Sequence, residues 1–234
     1  MKRTLVLGTL ASGAAALLLC TPMTMADPND VHPPTSGVGV SPHNLNGFEG
    51  LVIENEEICR PCHTPHNALD YQVLWNHEID GSKSYPLYNT FHTDTKYKDN
   101  YVGLDEASRL CLSCHDGAIA VDNYGGKTGG THFVTGERAV GADGLGNDHP
   151  IGLFYPIQPD GVPGGSAHAY RDPDDPEFNE GGIGTSKGVQ LLTMPDGQKG
   201  VGCRSCHHSH NSSLGDFKRV PNTYSWLCSR CHLK

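Results

Sequence analysis

Four short segments of the chain repeat one pattern, in which two cysteines stand three positions apart and a histidine follows the second. The first segment is Cys59-Arg60-Pro61-Cys62-His63. The others, numbered motifs 2 to 4 after it, are Cys111-Leu112-Ser113-Cys114-His115, Cys203-Arg204-Ser205-Cys206-His207 and Cys228-Ser229-Arg230-Cys231-His232. Histidine fills 14 of 234 positions, so four such coincidences have a chance probability on the order of 10⁻⁵. The repeat is therefore a deliberate feature of the sequence.

This pattern is typical of covalent c-type haem attachment. Cysteines at positions i and i+3 share one face of a helical turn, where both can form thioethers with the vinyl groups of one haem. The next histidine can then bind the iron from below as its proximal ligand. The sequence thus predicts four haem c groups on eight cysteines, with proximal ligands His63, His115, His207 and His232.

Paired cysteines also occur in zinc sites and in the disulfide frameworks of exported proteins. Neither use requires a histidine directly after the second cysteine. The four histidines therefore favour haem over zinc or disulfides.

The sixth coordination position is predicted to be filled by histidine. Only one methionine, Met194, follows the first 26 residues, whereas ten histidines remain beyond the proximal four. Bis-histidine ligation lowers the potential relative to His/Met haems and leaves no open iron for a substrate, which favours an electron carrier over an enzyme. The distal candidates are His43, His66, His149 and His210. Two of them, His66 and His210, lie three residues after a proximal histidine, too close to bind the same iron but able to reach a neighbouring one.

The first 26 residues are predicted to be a secretory signal peptide. Lys2 and Arg3 precede a short apolar run, and Thr24-Met25-Ala26 offers a small-residue cleavage site. Export supplies the compartment in which bacteria attach haem covalently. Cys20 leaves lipidation open as an alternative, although Leu19 before it is larger than a lipoprotein signal prefers. An N-terminal arm (27–45) and a single tetrahaem domain (46–234) follow.

The composition predicts a chain that is mostly irregular. Glycine and proline number 29 and 16, and the formal net charge is −9, which argues against nucleic acid as a partner. We expect short helices at the haem motifs, one of them capped by Asp105, and a few short β-hairpins, one between 188 and 201. Few apolar residues remain for a core, so the haems themselves are expected to fill it.

Several stretches resemble the extracellular multihaem c-type cytochromes of metal-reducing bacteria. These are Cys-Arg-Pro-Cys-His-Thr-Pro-His-Asn-Ala (59–68), Leu-Trp-Asn (74–76), Leu-Cys-Leu-Ser-Cys-His-Asp-Gly (110–117) and His-Pro-Ile-Gly (149–152). The resemblance is to tetrahaem members that polymerise into nanowire filaments. It implies stacked bis-histidine haems, a head-to-tail homopolymer in which one distal histidine comes from the adjacent subunit, and a place outside the cell or on the outer membrane. Other multihaem cytochromes, metal oxides or electrodes would be the electron partners.

The expected function is long-range electron transfer through a filament. A soluble periplasmic shuttle and a multihaem reductase subunit are the alternatives. Motif 4 ends two residues before the last residue of the sequence, so little chain is left to cover its haem, and contact between two different ends gives an open polymer unless it closes a ring. The first choice for the histidine that crosses between subunits is His66, and the second is His43.

Overall fold

The computed structural model describes residues 37–88, 101–142, 144–155, 170–180 and 188–233. The predicted signal peptide, Cys20 and the first part of the N-terminal arm lie outside these residues. Most of the described chain is irregular, with short helices and one small sheet, as the composition predicted. Short 3₁₀ turns punctuate it at Val38–Val40, Leu45–Gly47, Glu54–Glu56, Gln72–Leu74, Gly136–Arg138, Pro176–Asn179 and Thr223–Ser225.

Helix α1 (Glu106–His115) carries motif 2 on its last turn. It begins where the sequence predicted, because the Asp105 carboxylate accepts hydrogen bonds from the Ser108 amide at 3.0 Å and the Ser108 hydroxyl at 2.5 Å. Leu112 is fully buried on its inner face. The N-cap and this buried side chain fix the direction in which the helix delivers His115.

Among the described residues, the other α-helices are one turn long and lie at motifs 3 and 4. They are α2 (Cys203–Cys206) and α3 (Trp226–Ser229). Motif 1 lies in a turn rather than in a helix, which corrects the expectation of a helix at every motif. The backbone amide of His63 still donates to the Cys59 carbonyl at 2.9 Å, the bond of a single helical turn. Pro61, which lacks an amide donor, stands inside that turn.

A three-stranded antiparallel sheet precedes motif 3. Strands β2 (Leu192–Thr193) and β3 (Lys199–Val201) form the predicted hairpin, and β1 (Leu153–Phe154) pairs with the other edge of β3. The Met194 side chain is buried. Gly200 faces it, and a Cβ there would collide with the methionine. Met194 thus packs against Gly200 on the inner side of the hairpin. Strand β3 leads directly into α2.

The buried apolar side chains form two small clusters rather than one continuous core. Around Leu112 pack Leu104 and Leu145, and around Tyr155 pack Phe178, Val189 and Val220. The composition predicted this limited apolar packing. Among the described residues, no helix is both long and apolar enough to cross a bilayer.

Candidate functional site

Three of the four motif histidines are oriented by a backbone carbonyl from a later loop. The Nδ1 atoms of His63, His115 and His207 lie 2.7, 2.7 and 2.8 Å from carbonyl oxygens. The carbonyls belong to Val73, Arg138 and Asp216. A carbonyl can only accept, so Nδ1 carries the proton and Nε2 keeps its lone pair free. This is the arrangement that orients a metal-binding histidine.

Three motif histidines also face a second histidine ring. The ring centroids are 5.9 Å apart for His63 and His210, and 6.1 Å apart for His115 and His43. For His232 and His149 the separation is 6.3 Å. A metal–imidazole bond is about 2.0 Å long, so two imidazoles on opposite faces of one iron have centroids roughly 6 Å apart. Each pair therefore has the spacing of two axial ligands of a single haem.

Two of these second histidines are oriented in the same way as the motif histidines. Nδ1 of His43 lies 3.2 Å from the Ser209 carbonyl, and Nδ1 of His149 lies 3.1 Å from the Pro150 carbonyl. The His43 ring stacks on Phe217 at 4.2 Å. Burial lowers the pKa of His43, an effect that exceeds the opposing hydrogen bond to Ser209. A lowered pKa keeps the imidazole neutral, which is the form that binds iron.

The pKa values of His210 and His232 are also lowered. Burial lowers the pKa of His210, and the neighbouring His63 and His208 lower it further. Burial and the facing His149 lower the pKa of His232 in the same way. All three pairs thus combine the correct spacing with at least one ring whose protonation is disfavoured.

His207 and His66 are the two remaining residues of the predicted ligand set. No second histidine ring faces His207 among the residues that the structure describes, although its Nδ1 is held by Asp216. His66 is exposed, and its only described hydrogen bonds join its backbone to Thr64. Among the described residues, therefore, no second histidine ring faces the predicted proximal histidine of motif 3, and no motif histidine faces His66.

Each motif lies beside the next one along the chain. The amide of Cys203 donates to the Ser108 hydroxyl of α1 at 2.9 Å, and the Cys111 and Cys203 thiols are in contact, which raises the pKa of Cys111. The Cys62 thiol lies close enough to Cys114 to add to the effect of burial on the pKa of Cys114. Burial raises the pKa of Cys206 to about 11, and motif 4 lies close enough to contribute through Cys228. The four attachment sites therefore form one continuous group.

The surroundings of the motifs fit a bound haem in two respects. The Trp75 Nε1 and Arg230 Nε atoms are buried without a hydrogen-bond partner, and each residue belongs to or packs against a motif. Such donors require an acceptor that the described side chains do not provide. In addition, Val73, Leu74 and Tyr224 leave half or more of their surface exposed near motifs 1 and 4. An apolar macrocycle with carboxylate side chains would satisfy both the donors and this apolar surface.

Sequence reasoning could not find the residues that hold the motifs in place. The carbonyls of Val73, Arg138 and Asp216 carry no side-chain signal, since every residue has a carbonyl. His77 is buried next to the Cys114 sulfur at 3.4 Å, but carbonyls of Glu78 and Ala120 face its two ring nitrogens at 3.0 Å each. The two carbonyls thus already occupy both nitrogens of the His77 ring. No family model and no curated protein matches the chain.

Proposed function

We propose that this chain is an electron-transfer protein with four covalent c-type haems, which works outside the cytoplasm as a head-to-tail polymer. The observation that carries the proposal is the set of three histidine pairs, each joining a motif histidine to a second ring at 5.9 to 6.3 Å. Three such pairs, each built on a different copy of the Cys-x-x-Cys-His motif, have no structural task that packing alone explains.

The chain's residues would divide the work as follows. The eight motif cysteines fix the position of each haem, and the carbonyls of Val73, Arg138 and Asp216 fix the tautomer of its proximal ligand. His210, His43 and His149 would close the opposite faces of the haems at motifs 1, 2 and 4. Bound haem supplies one-electron exchange between ferric and ferrous iron. Because the motifs adjoin one another, each site has a neighbour to exchange with.

The polymer is supported by two residues that the histidine pairs leave over. In the described part of the chain no second histidine ring faces His207, and His66 is exposed three residues after the histidine of motif 1. A bond from His66 of one copy to the iron at motif 3 of the next would satisfy both. The contact is heterologous, so it forms an open filament unless its rotation closes a ring. His43, the second choice of the sequence for this role, already faces His115 within its own chain.

The haem count is tested by intact-mass spectrometry of the secreted protein after acid and organic extraction. The expected mass is a polypeptide that begins near Asp27 plus four haems. Zinc or disulfides at the motifs predict no added haem mass, and either finding would refute the proposal.

The same observation at His207 favours a second candidate function, a reductase with one open iron. The two differ in the isolated wild-type assembly. A polymer with a crossing histidine has only six-coordinate, low-spin iron and binds carbon monoxide poorly after reduction. A reductase binds one carbon monoxide per four haems rapidly, whatever its state of assembly.

The crossing ligand is tested with His66→Ala, and His132→Ala is the matched control because His132 pairs with Asp122 rather than with a motif histidine. We expect His66→Ala to keep four haems, to lose filaments in negative-stain micrographs and to gain one high-spin haem per monomer. The control should form normal filaments. Filaments of His66→Ala with every haem low-spin would exclude His66 as the crossing ligand.

A further inference from the structure

Arg219 is a buried cation next to motif 3. Only 3% of its surface is exposed, and its backbone amide donates to the Cys206 carbonyl at 2.8 Å. The side chain donates once, from Nε to the Arg204 carbonyl at 2.7 Å. Within the described part of the chain, no acidic side chain lies within ion-pair distance of its guanidinium. The two terminal nitrogens donate no hydrogen bond to described residues, and they are not among the atoms sealed from solvent.

Comparable cations in the structure are neutralised. Arg230, equally buried, pairs with Glu180 at 3.1 Å, and Lys83 pairs with the buried Asp116 at 2.7 Å. Burial lowers the pKa of Arg219, and the charge of Arg204 lowers it further. An anion at the guanidinium would therefore stabilise this largely buried charge. A guanidinium with two free terminal nitrogens matches the two oxygens of a carboxylate.

We propose that Arg219 binds the propionate carboxylate of a haem packed against motif 3 and that its positive charge raises the reduction potential of that haem. The inference rests on the proposed function, since it presupposes haem at the motifs. Propionates project from the edge of the macrocycle remote from the thioethers. The haem that meets Arg219 can therefore be one attached at a motif other than Cys203 and Cys206. Reduction adds one electron to the haem, and a nearby fixed cation stabilises the product.

The test compares Arg219→Gln and Arg219→Met with the control Lys127→Gln. Lys127 is an exposed cation outside the four motifs, and its side chain lies over the Tyr124 ring. Each holoprotein is first weighed for four haems and then titrated spectroelectrochemically. In both Arg219 variants we expect one of the four midpoint potentials to move to a more negative value, while Lys127→Gln keeps the wild-type titration curve. Arg219→Lys, which restores the charge, should recover most of the shift.

The opposite results are equally clear. If either neutral variant holds four haems and titrates like wild type, Arg219 does not act on a haem. An increase in thermal stability of Arg219→Met with unchanged potentials would show a buried charge without an anion. If neither variant incorporates haem, a high-resolution structure of the wild-type holoprotein provides the test. In that structure the guanidinium must lie within about 4 Å of a haem carboxylate. Absence of haem from wild type would instead overturn the proposed function.

Discussion

Removal of the His149 ring provides a direct test of the histidine pairs. His149 faces His232 at 6.3 Å, is exposed, and makes its one described hydrogen bond to the adjacent Pro150. His149→Ala therefore removes little side-chain packing, so a change at the iron would not be explained by disruption of the surrounding fold. Its effect on the iron at motif 4 should be complete, because no other described histidine ring faces His232.

The magnitude follows from the number of sites. One of four irons loses its distal ligand, so a quarter of the haem should become five-coordinate and high-spin in the ferric state. After reduction the protein should bind one carbon monoxide per four haems. Electron paramagnetic resonance measures the spin states, and a carbon monoxide titration counts the open site.

His132→Ala is the control, since that ring pairs with Asp122 and faces no motif histidine. It should leave all haems low-spin. If His149→Ala also retains four low-spin haems and binds no carbon monoxide, the interpretation of the 6 Å ring pairs as axial ligands is wrong.

Three further predictions concern the scaffold. Asp116 is buried directly after His115, and its carboxylate accepts hydrogen bonds from Lys83, Tyr85 and two backbone amides. Asp116→Asn should therefore lower the free energy of unfolding, measured by chemical denaturation, by about 2 kcal/mol. The exposed control Asp80→Asn should lower it by less than about 0.5 kcal/mol. Burial would raise the pKa of Asp116, but its bonds from Lys83 and the amides outweigh this and hold the pKa below the usual value. The stabilisation is therefore present above about pH 4, the pKa of Asp116 in the unfolded chain, and is lost as the pH falls through its lower pKa in the folded protein. If wild type remains more stable than Asp116→Asn by the same amount below both pKa values, this prediction is wrong. Gly202→Ala should lower the free energy of unfolding, measured by thermal denaturation, by about 1–3 kcal/mol. The new Cβ would collide with the Asp105 carboxylate and the Ser108 hydroxyl where α1 contacts α2. The control Gly81→Ala has open space around it and should lower the free energy by less than about 1 kcal/mol. Equal effects of the two substitutions would refute the packing argument.

Much of the local structure could be predicted because its causes are local. The Asp105 cap and the 188–201 hairpin depend on residues within a few positions, and both were found as predicted. Motif 1 was expected in a helix and lies in a turn, since Pro61 and the short segment around it favour one isolated helical turn over a longer helix. Strand β1 was not predicted, because two residues carry no readable period and gain their ladder only from β3.

The candidate site divides in the same way. Identical spacing of Cys, Cys and His in four segments is a property of the chain alone, and it was enough to predict four haem motifs and their proximal histidines. Which histidine faces which motif was decided only by the tertiary structure: His43 meets His115 across 71 intervening residues, and His210 meets His63 across 146. The same holds for the carbonyls that orient the proximal rings and for the unpaired charge of Arg219. Spacing along a turn is fixed by bonds between near neighbours, whereas an axial pair requires two distant segments to be brought together, and that depends on packing that the sequence encodes only collectively.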